Sequence, residues 1–223
     1  GVVAPQQFGM SLNYRDPSVC GDIKYLWEPN RHLFFVPLAQ AYSLSRAPRY
    51  LKALAILLRS WMDQCPYLKG PNWTSSLELA IRLINWSCVW KLIGGNDSPL
   101  FEDENGKKLR GDWLTSIYQH AHFIRHHFSR YSSANNHLIG EAAGLHVACL
   151  SWPYWEASAR WAEKSREILI EEALRQNTTD GVNREQAISY QQFVLDFLII
   201  SGLAARAGGM DFPAEYWARI ASM

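Results

Sequence analysis

The segment 131–145, YSSANNHLIGEAAGL, joins residue types that can do chemistry to the start of an apolar run. Asn135, Asn136 and His137 fall in the predicted first turn of a helix, and Glu141 follows His137 by four residues on the same face. A helix N-terminus offers free N–H groups and a positive dipole end, which suit a substrate carboxylate. Since Glu141 can orient the imidazole, the segment is a candidate site for an anionic ligand.

Helix capping is the structural alternative for this segment. Ser132 or Ser133 can cap the helix, and helix N-termini also favour asparagine. A cap needs only one asparagine, however, and it does not require His137. The surplus of polar side chains keeps the functional interpretation open.

A second candidate is the segment 180–193, DGVNREQAISYQQF, which contains Glu185 and Tyr190 five residues apart. A tyrosine near a helix start, after an Asp-Gly turn, is most often a packing residue. It can instead donate or accept a proton if an arginine or histidine lowers its pKa.

Trp27 lies among charged and polar residues in the segment 22–32, DIKYLWEPNRH. A solvated helix face is the simpler interpretation. A tryptophan beside Asn30 and Arg31 would also suit a carboxylated or sulfated ligand, with Arg31 as a bidentate donor.

The segment 70–86, GPNWTSSLELAIRLINW, places Trp73 at the entry to a helix. Thr74 or Ser75 can cap that helix, with Glu78 close enough for a capping box. Glu78 and Arg82 are four residues apart and can pair on one face, and such a pair is usually structural.

Histidines cluster in the segment 120–131, HAHFIRHHFSRY, where His122 and His126 have a spacing that can bind metal. The neighbouring Arg125 and Arg130 add positive charge, and no glutamate or cysteine completes a ligand set. The segment therefore predicts a partly basic helix face, and no metal site is predicted.

Helical periodicity dominates the chain from residue 22 onwards, whereas strand alternation is nearly absent. Residues 1–21 are predicted as an irregular leader because prolines and glycines interrupt them. Polar loops are predicted over 101–112 and 177–181. The predicted helices cover about 22–31, 33–45, 48–64, 74–93, 112–130, 135–150, 154–176, 183–207 and 213–222.

Successive long helices joined by short loops predict an all-α array of helical hairpins, either a solenoid or a closed toroid. No repeat of fixed period is visible, which weakens a tandem-repeat interpretation. Residues 194–206 are apolar nearly all round, so their helix is predicted to be central. The chain is expected to be one helical domain over 1–223 and a fragment of a longer protein.

The composition limits the class of protein. With 223 residues, 48% of them hydrophobic, the chain can bury a substantial core. A formal net charge of +1 argues against a broad basic surface for nucleic acid. No run of 18 apolar residues predicts a membrane span, and no signal peptide is visible.

Aromatic residues and cysteines carry less information. Ten Trp, ten Tyr and nine Phe indicate mainly a core of large side chains, although some Trp rings suit a sugar groove. The four cysteines form no CxxC pair and match no zinc spacing. Cys88 and Cys149 are predicted as buried thiols, and a disulfide stays open.

Four motifs occur together in order: D-I-K-x-x-W-E-x-N-R-H, then G-x-N-W with E-x-A-x-R, then S-x-N-N-H-x-x-x-E-x-x-G-L, then D-G-x-x-x-E-Q-x-x-x-Y. This series, which spans nearly the whole chain, resembles the N-terminal helical domain of the heparinase II/III-like polysaccharide lyases. The resemblance implies an incomplete (α/α) toroid. In such families an antiparallel β-sandwich domain follows, and the cleft between the domains holds a uronate-containing polysaccharide. Alginate lyases and dermatan sulfate epimerases share the toroid.

The resemblance also implies roles for single residues. Asn136 matches the residue that neutralises the uronate carboxylate, and His137 matches a base or carboxylate partner. Tyr190 matches the general acid, which often also serves as the base. The positions that the resemblance and the residue types assign to substrate binding are Trp27, Asn30, Arg31, Trp73, Arg82, Asn135, Glu141 and Glu185.

The expected activity is β-elimination on a heparan-type glycan, alginate or bacterial exopolysaccharide. The alternatives are a uronate C5-epimerase domain and a non-catalytic glycan-binding module. No cofactor is expected in the helical domain, whereas the resemblance implies that the β-domain supplies a further histidine and, in many members, metal-binding residues. The expected partners are the acidic polysaccharide and the missing β-domain, and the parent protein is expected to be periplasmic or secreted.

Overall fold

The computed structural model describes residues 4–131 and 134–223, and this part of the chain is built from helices. It contains no strand, only the isolated bridges between Phe8 and Lys69 and between Asn177 and Asn183. The all-α prediction is confirmed. The α-helices are α1 Pro17–Cys20, α2 Ile23–Asn30, α3 Phe35–Ser45, α4 Pro48–Gln64, α5 Ser76–Ile93, α6 Glu104–His126, α7 Asn136–Ser151, α8 Ala157–Gln176, α9 Ile188–Ala207 and α10 Ala214–Ser222.

The chain divides into two compact units, and the boundary falls between His120 and Ala121 inside α6. The single helical domain predicted for the whole chain stays a prediction. The units are described one after the other.

In the first unit, α3 packs against α4 and α5. Pro48 begins α4, and its missing N–H is no loss in a first helical turn. Leu51, Leu54, Leu58 and Trp61 are buried at helical spacing, so α4 presents one apolar face to the core.

α5 is buried along nearly its whole length because it is apolar on most of its faces. It also buries the polar side chains of Glu78, Arg82 and Asn85. Burying a polar group is costly unless the group is hydrogen-bonded, so these three side chains need partners inside the protein.

In the second unit, α7 packs against α8 and α9, and α10 packs against α8 and α9. α7 is enclosed in the same way as α5, from Asn136 to Cys149. Tyr216 of α10 is fully buried and donates its hydroxyl to the carbonyl of Leu198 in α9, 2.8 Å away. This bond fixes α10 against α9.

The predicted loop over 101–112 is wrong, because α6 already begins at Glu104. The Asp103 carboxylate accepts a hydrogen bond from the backbone N–H of Gly106, 2.6 Å away, which satisfies one free donor of the first turn. Leu109 is 5% exposed, so this polar stretch buries one apolar side chain against the core. α6 also ends at His126, earlier than predicted.

The prediction that the helix of residues 194–206 is central is wrong. α9 buries one face, which includes Val194 and Leu198, whereas Ile188 and Leu203 are 90% and 54% exposed. Within the described ranges, α9 is the helix that is long and apolar enough to cross a membrane, with a mean hydropathy of 1.4. Core helices of soluble proteins pass the same test, so this is weak support for a span.

The start of α9 also differs from its prediction. Residues 183–187 form a loop, and the helix begins at Ile188. The side-chain oxygen of Asn183 accepts a bond from the backbone N–H of Glu185, 3.0 Å away, and Gln186 has a positive φ of 53°. This local turn holds Glu185 outside the helix.

Candidate functional site

Asn135 caps α7. Its side-chain oxygen accepts a bond from the backbone N–H of His137 at 3.1 Å, and its carbonyl accepts a bond from Nε2 of Gln176 at 3.1 Å. The predicted capping residues Ser132 and Ser133 lie outside the described residues. Asn135 therefore has a structural role in this fold, and its predicted role in substrate binding stays a prediction.

Asn136 is the first residue of α7 and is 5% exposed. The carboxylate of Glu185 accepts three hydrogen bonds from it, each 2.9 Å long. One comes from the backbone N–H, and the others join Nδ2 to both carboxylate oxygens. The structure thus brings together two predicted site residues that lie 49 positions apart in the sequence.

Tyr190 lies in the first turn of α9, five residues after Glu185, and is 46% exposed. The loop that carries Glu185 to Asn136 leads directly into this turn. The N-terminal turn of α7 and the segment that precedes Tyr190 are therefore joined through one carboxylate.

Glu141 is 1% exposed, and burial raises the pKa of its carboxyl group to about 7. The backbone N–H and the hydroxyl of Ser129 donate to its two oxygens, at 2.6 and 2.7 Å. Ser129 lies 12 residues before Glu141. The four-residue spacing between His137 and Glu141 did not indicate this partner. That Glu141 orients His137, or binds substrate, stays a prediction.

The guanidinium of Arg31 binds a carboxylate of the protein itself. Its Nε and Nη2 donate to both oxygens of Glu78, at 2.7 and 2.9 Å, and its Nη1 donates to Glu28 at 3.0 Å. The hydrogen bond to Glu78 raises the pKa of Arg31. Ser75 is the N-cap residue of α5 but makes no side-chain cap hydrogen bond, so the predicted capping box is wrong. Glu78 forms its hydrogen-bonded ion pair with Arg31, and its interaction with Arg82 is coulombic only.

Arg82 is fully buried, and desolvation lowers its pKa to about 10. Its Nε donates to the carbonyl of Asn30 at 2.6 Å, its Nη1 contacts Nε2 of His120 at 2.9 Å, and it lies 4.5 Å from the centre of the Trp61 ring. Arginine only donates, so Nε2 of His120 accepts and its Nδ1 donates to the Ser116 carbonyl. Burial lowers the pKa of His120 well below its usual value, which keeps the ring neutral.

Trp73 is 1% exposed and packs against Tyr67 and His120, with ring centres 4.9 and 4.6 Å away. Trp73 and Arg82 therefore lie in the core of the first unit in this structure, and neither is at the surface. Their observed contacts are those of scaffold residues, and their predicted contact with substrate stays untested.

Trp27 and Asn30 lie nearer the surface and are half-buried. Nε1 of Trp27 donates to the carbonyl of Pro71 at 3.1 Å, and Oδ1 of Asn30 accepts a bond from Nε1 of Trp61 at 2.8 Å. Asn30 lines a cavity of about 580 Å³ that lies within the first unit.

This cavity also has residues in its wall that the sequence did not single out. Phe34 and Trp61 supply aromatic surface, and the exposed Lys69 supplies a positive charge. Asn72 is 6% exposed, and its Oδ1 has no partner among the described residues. Only the G-x-N-W motif pointed towards Asn72, and nothing in the sequence pointed to Lys69.

His122 and His126 lie with ring centres 4.2 Å apart. Across 4–131 and 134–223, no three His, Cys, Asp or Glu side chains are grouped so that they could hold a metal ion. Cys20, Cys65, Cys88 and Cys149 are all free thiols; Cys149 is buried as predicted, and Cys88 is half-buried.

Comparison with known proteins gives a family match over nearly the whole chain. The family model described as Heparinase II/III N-terminus matches residues 6–223. A heparin-sulfate lyase of Bacteroides thetaiotaomicron is 27% identical over 218 residues, which are 95% of this chain and 29% of that protein. A heparin-sulfate lyase of Pedobacter heparinus is 29% identical over 232 residues, covering 97% of this chain and 32% of that protein.

Solved structures show the same fold. A crystal structure of heparinase III has a TM-score of 0.75 at 20% identity and covers 90% of this chain and 30% of its own. The heparan sulfate lyase from Pedobacter heparinus has a TM-score of 0.72 at 22% identity, and the match covers 96% of this chain and 33% of that one. The chain thus spans about a third of the length of the proteins it matches.

Proposed function

Because the chain belongs to the heparinase II/III family through its N-terminal domain, we propose that it is the helical domain of a polysaccharide lyase. The substrate class is uronate-containing glycans: heparan-type chains, alginate or bacterial exopolysaccharides. The observation that carries the proposal is the contact between Asn136 and Glu185, which joins the first turn of α7 to the segment leading to Tyr190. Relatives that are heparin-sulfate lyases support it.

The proposed reaction is β-elimination. A base removes the proton from C5 of the uronate, and the electron pair forms a double bond between C4 and C5. The bond between C4 and O4 breaks, its electrons leave with O4, and O4 takes a proton. The C5 proton is a poor acid unless the neighbouring carboxylate is neutralised, so that negative charge can delocalise into it. The site must therefore supply a donor to the carboxylate, a base and an acid.

The roles proposed for the residues follow this chemistry. Asn136 donates an N–H to the uronate carboxylate, and the positive end of α7 adds to this stabilisation. His137, in the same turn, acts as base or as a second carboxylate partner. Tyr190 protonates O4, and its 46% exposure makes the phenol accessible to a ligand.

Glycan binding in the first unit is proposed for Asn30 and Trp27. The cavity beside Asn30 combines Phe34 and Trp61 with amide groups and with Lys69. Sugar rings stack on aromatic faces, their hydroxyls bond amides, and a uronate carboxylate or sulfate pairs with a cation.

Further parts of the proposal concern the parent protein. The helices are proposed to form an arc of an (α/α) toroid. The heparin-sulfate lyases that the chain matches are about three times as long as the chain, which supports the expected β-sandwich domain. We propose that the helical domain needs no cofactor and that any metal site belongs to the β-domain. The parent protein is proposed to be periplasmic or secreted, where acidic polysaccharides are found.

The substitution Tyr190→Phe tests the proposal, because it removes only the phenolic hydroxyl. In the full-length protein that carries this chain, we expect kcat to fall by about a hundredfold or more, with the loss of one general acid. The rate is measured as ultraviolet absorbance of the C4–C5 double bond, with heparan sulfate, alginate and exopolysaccharides as substrates. Tyr25→Phe, at an 83% exposed position, is the matched control and should leave the rate unchanged.

One outcome would contradict the role of Tyr190, and two others would contradict the lyase assignment. An unchanged rate in Tyr190→Phe would remove the role of this tyrosine. Uptake of deuterium from the solvent at C5 without chain cleavage would indicate a C5-epimerase. Glycan binding without any turnover in the unmodified full-length protein would indicate a binding module.

A further inference from the structure

We propose that Glu185 is a positioning residue, which fixes the side-chain amide of Asn136 so that one of its N–H bonds is directed away from Glu185 for the substrate carboxylate. This inference rests on the proposed function and replaces the predicted contact of Glu185 with substrate. Glu185 accepts three hydrogen bonds from Asn136, each 2.9 Å long.

Geometry decides how many amide hydrogens Glu185 uses. The two oxygens of a carboxylate subtend an angle of about 45° at a nitrogen 2.9 Å from both, whereas the two N–H bonds of an amide diverge by about 120°. The hydrogen-bond angles are better when one N–H of Asn136 points between the oxygens, which share it, than when the two N–H bonds straddle them. The second N–H points elsewhere, and no partner of it lies among the described residues.

The charge of Glu185 decides which end of the amide it faces. An ionised carboxylate only accepts hydrogen bonds, so it attracts Nδ2 of Asn136 and repels Oδ1. The backbone N–H of the same residue binds one of these oxygens, which ties the carboxylate to the positive end of α7. Glu185 thus fixes the polarity of Asn136, whereas an amide at 185 could bind it in either orientation.

Buried amides hold the loop that carries Glu185. The Oδ1 of Asn183 accepts the backbone N–H of Glu185 at 3.0 Å, and its Nδ2 donates to Oδ1 of Asn177 at 2.9 Å. Asn177 and Asn183 are 0% and 1% exposed, so both amides are committed to the protein interior. A buried hydrogen-bond network of this kind is rigid when its members are satisfied.

α10 anchors the far end of this network. The guanidinium of Arg219 donates to the carbonyls of Leu174, at 2.9 Å, and Asn177. Gly181 has a φ of 89°, and a Cβ there would lie 1.8 Å from the carbonyl oxygen of Ser222. The loop is thus pressed against α10, and a continuous set of contacts runs from Arg219 to the amide of Asn136.

A double-mutant cycle on Glu185 and Asn136 in the full-length protein tests the inference. We expect Glu185→Ala to lower kcat by about tenfold to a hundredfold, with KM changed by less than about threefold, because the donor to the developing charge is misoriented. In an Asn136→Ala background the same substitution should cost less than about twofold, since Glu185 acts through Asn136. Glu185→Gln keeps one acceptor oxygen and should recover part of the rate.

The controls separate this inference from a structural effect and from the proposed function. Glu171→Ala removes an exposed carboxylate from α8 and should leave kcat unchanged. Equal losses from Glu185→Ala in both backgrounds would overturn the inference, and so would a Glu185→Gln variant as slow as Glu185→Ala with a wild-type melting temperature. A wild-type rate in Asn136→Ala alone would instead overturn the role of Asn136 in the proposed function, and the inference with it.

Discussion

At the scale of single residues, three carboxylates that are buried or half-buried bind partners outside their own helical turn. Glu78 binds Arg31, Glu141 binds Ser129, and Glu185 binds Asn136. Each carboxylate has its own surroundings, and Glu141 is the one whose pKa burial raises to about 7. This group is therefore expected to make the stability of the second unit depend on pH.

The sign of that dependence follows from the pKa shift of Glu141. The pKa is about 4.5 in the unfolded chain and about 7 in the folded protein, so the folded state holds its proton to higher pH. Its contribution to stability is full below about pH 4.5 and is lost as pH rises through about 7. We expect Glu141→Gln to remove about 3 kcal/mol of pH dependence from the free energy of unfolding.

Urea unfolding of the 223-residue chain between pH 4.5 and pH 8 measures this effect. Glu171→Gln, at an exposed position, is the control and should keep the slope of the unmodified chain. A Glu141→Gln variant whose stability varies with pH as steeply as that of the unmodified chain would contradict the assignment.

At the scale of elements, α6 shows how a polar stretch becomes a helix start. The segment 101–112 contains glycines and many charges, which favour a loop when composition alone is considered. Asp103 caps the helix, and Gly106 allows the first turn to approach the preceding 3₁₀ turn Pro99–Phe101 closely. A Cβ on Gly106 would lie 2.1 Å from the carbonyl oxygen of Leu100.

Two glycines of α6 give a matched pair of substitutions. Gly106→Ala should lower the free energy of unfolding by about 1–3 kcal/mol, because the new methyl group overlaps the Leu100 backbone. A Cβ at Gly111 would lie in open space. Gly111→Ala should therefore raise the free energy of unfolding by up to about 1 kcal/mol, because alanine has a higher helix propensity than glycine. Urea unfolding of both variants measures the difference, and a neutral Gly106→Ala would contradict the close approach.

At the scale of the whole molecule, each unit encloses one helix on nearly all sides, α5 in the first and α7 in the second. α9 has a comparable apolar content but buries only one face, against α7 and α10. Hydrophobicity shows that a helix can be buried, whereas the number of neighbouring helices determines whether it is.

Two leucines of α9 distinguish its two faces. Leu198→Ala, at a fully buried position, should cost about 2–5 kcal/mol of unfolding free energy through the cavity it leaves. Leu203→Ala, at a 54% exposed position, should change it by less than about 0.5 kcal/mol. Equal effects in urea unfolding would contradict the packing of α9 as a one-sided helix.

The sequence alone was enough for the class of the fold and for most helices, because helical periodicity is a local property. The bounds predicted for α4 agree with the structure at both ends, and those of α2 and α10 agree within a residue. The four ordered motifs also identified the family over the chain. The predicted loop over 101–112 was an error, because Asp103 and Gly106 start α6 there through contacts that the local composition did not indicate.

By itself the sequence determined the all-α class of the fold and the bounds of helices such as α4, since caps and periodicity act over a few positions. The tertiary structure decided the partners. It bound Arg31 to Glu78, placed Trp73 and Arg82 in the core, and joined Asn136 to Glu185 across 49 positions. A buried polar group must find a partner wherever the packing brings one within hydrogen-bond distance, and that distance depends on the fold, not on the spacing along the chain.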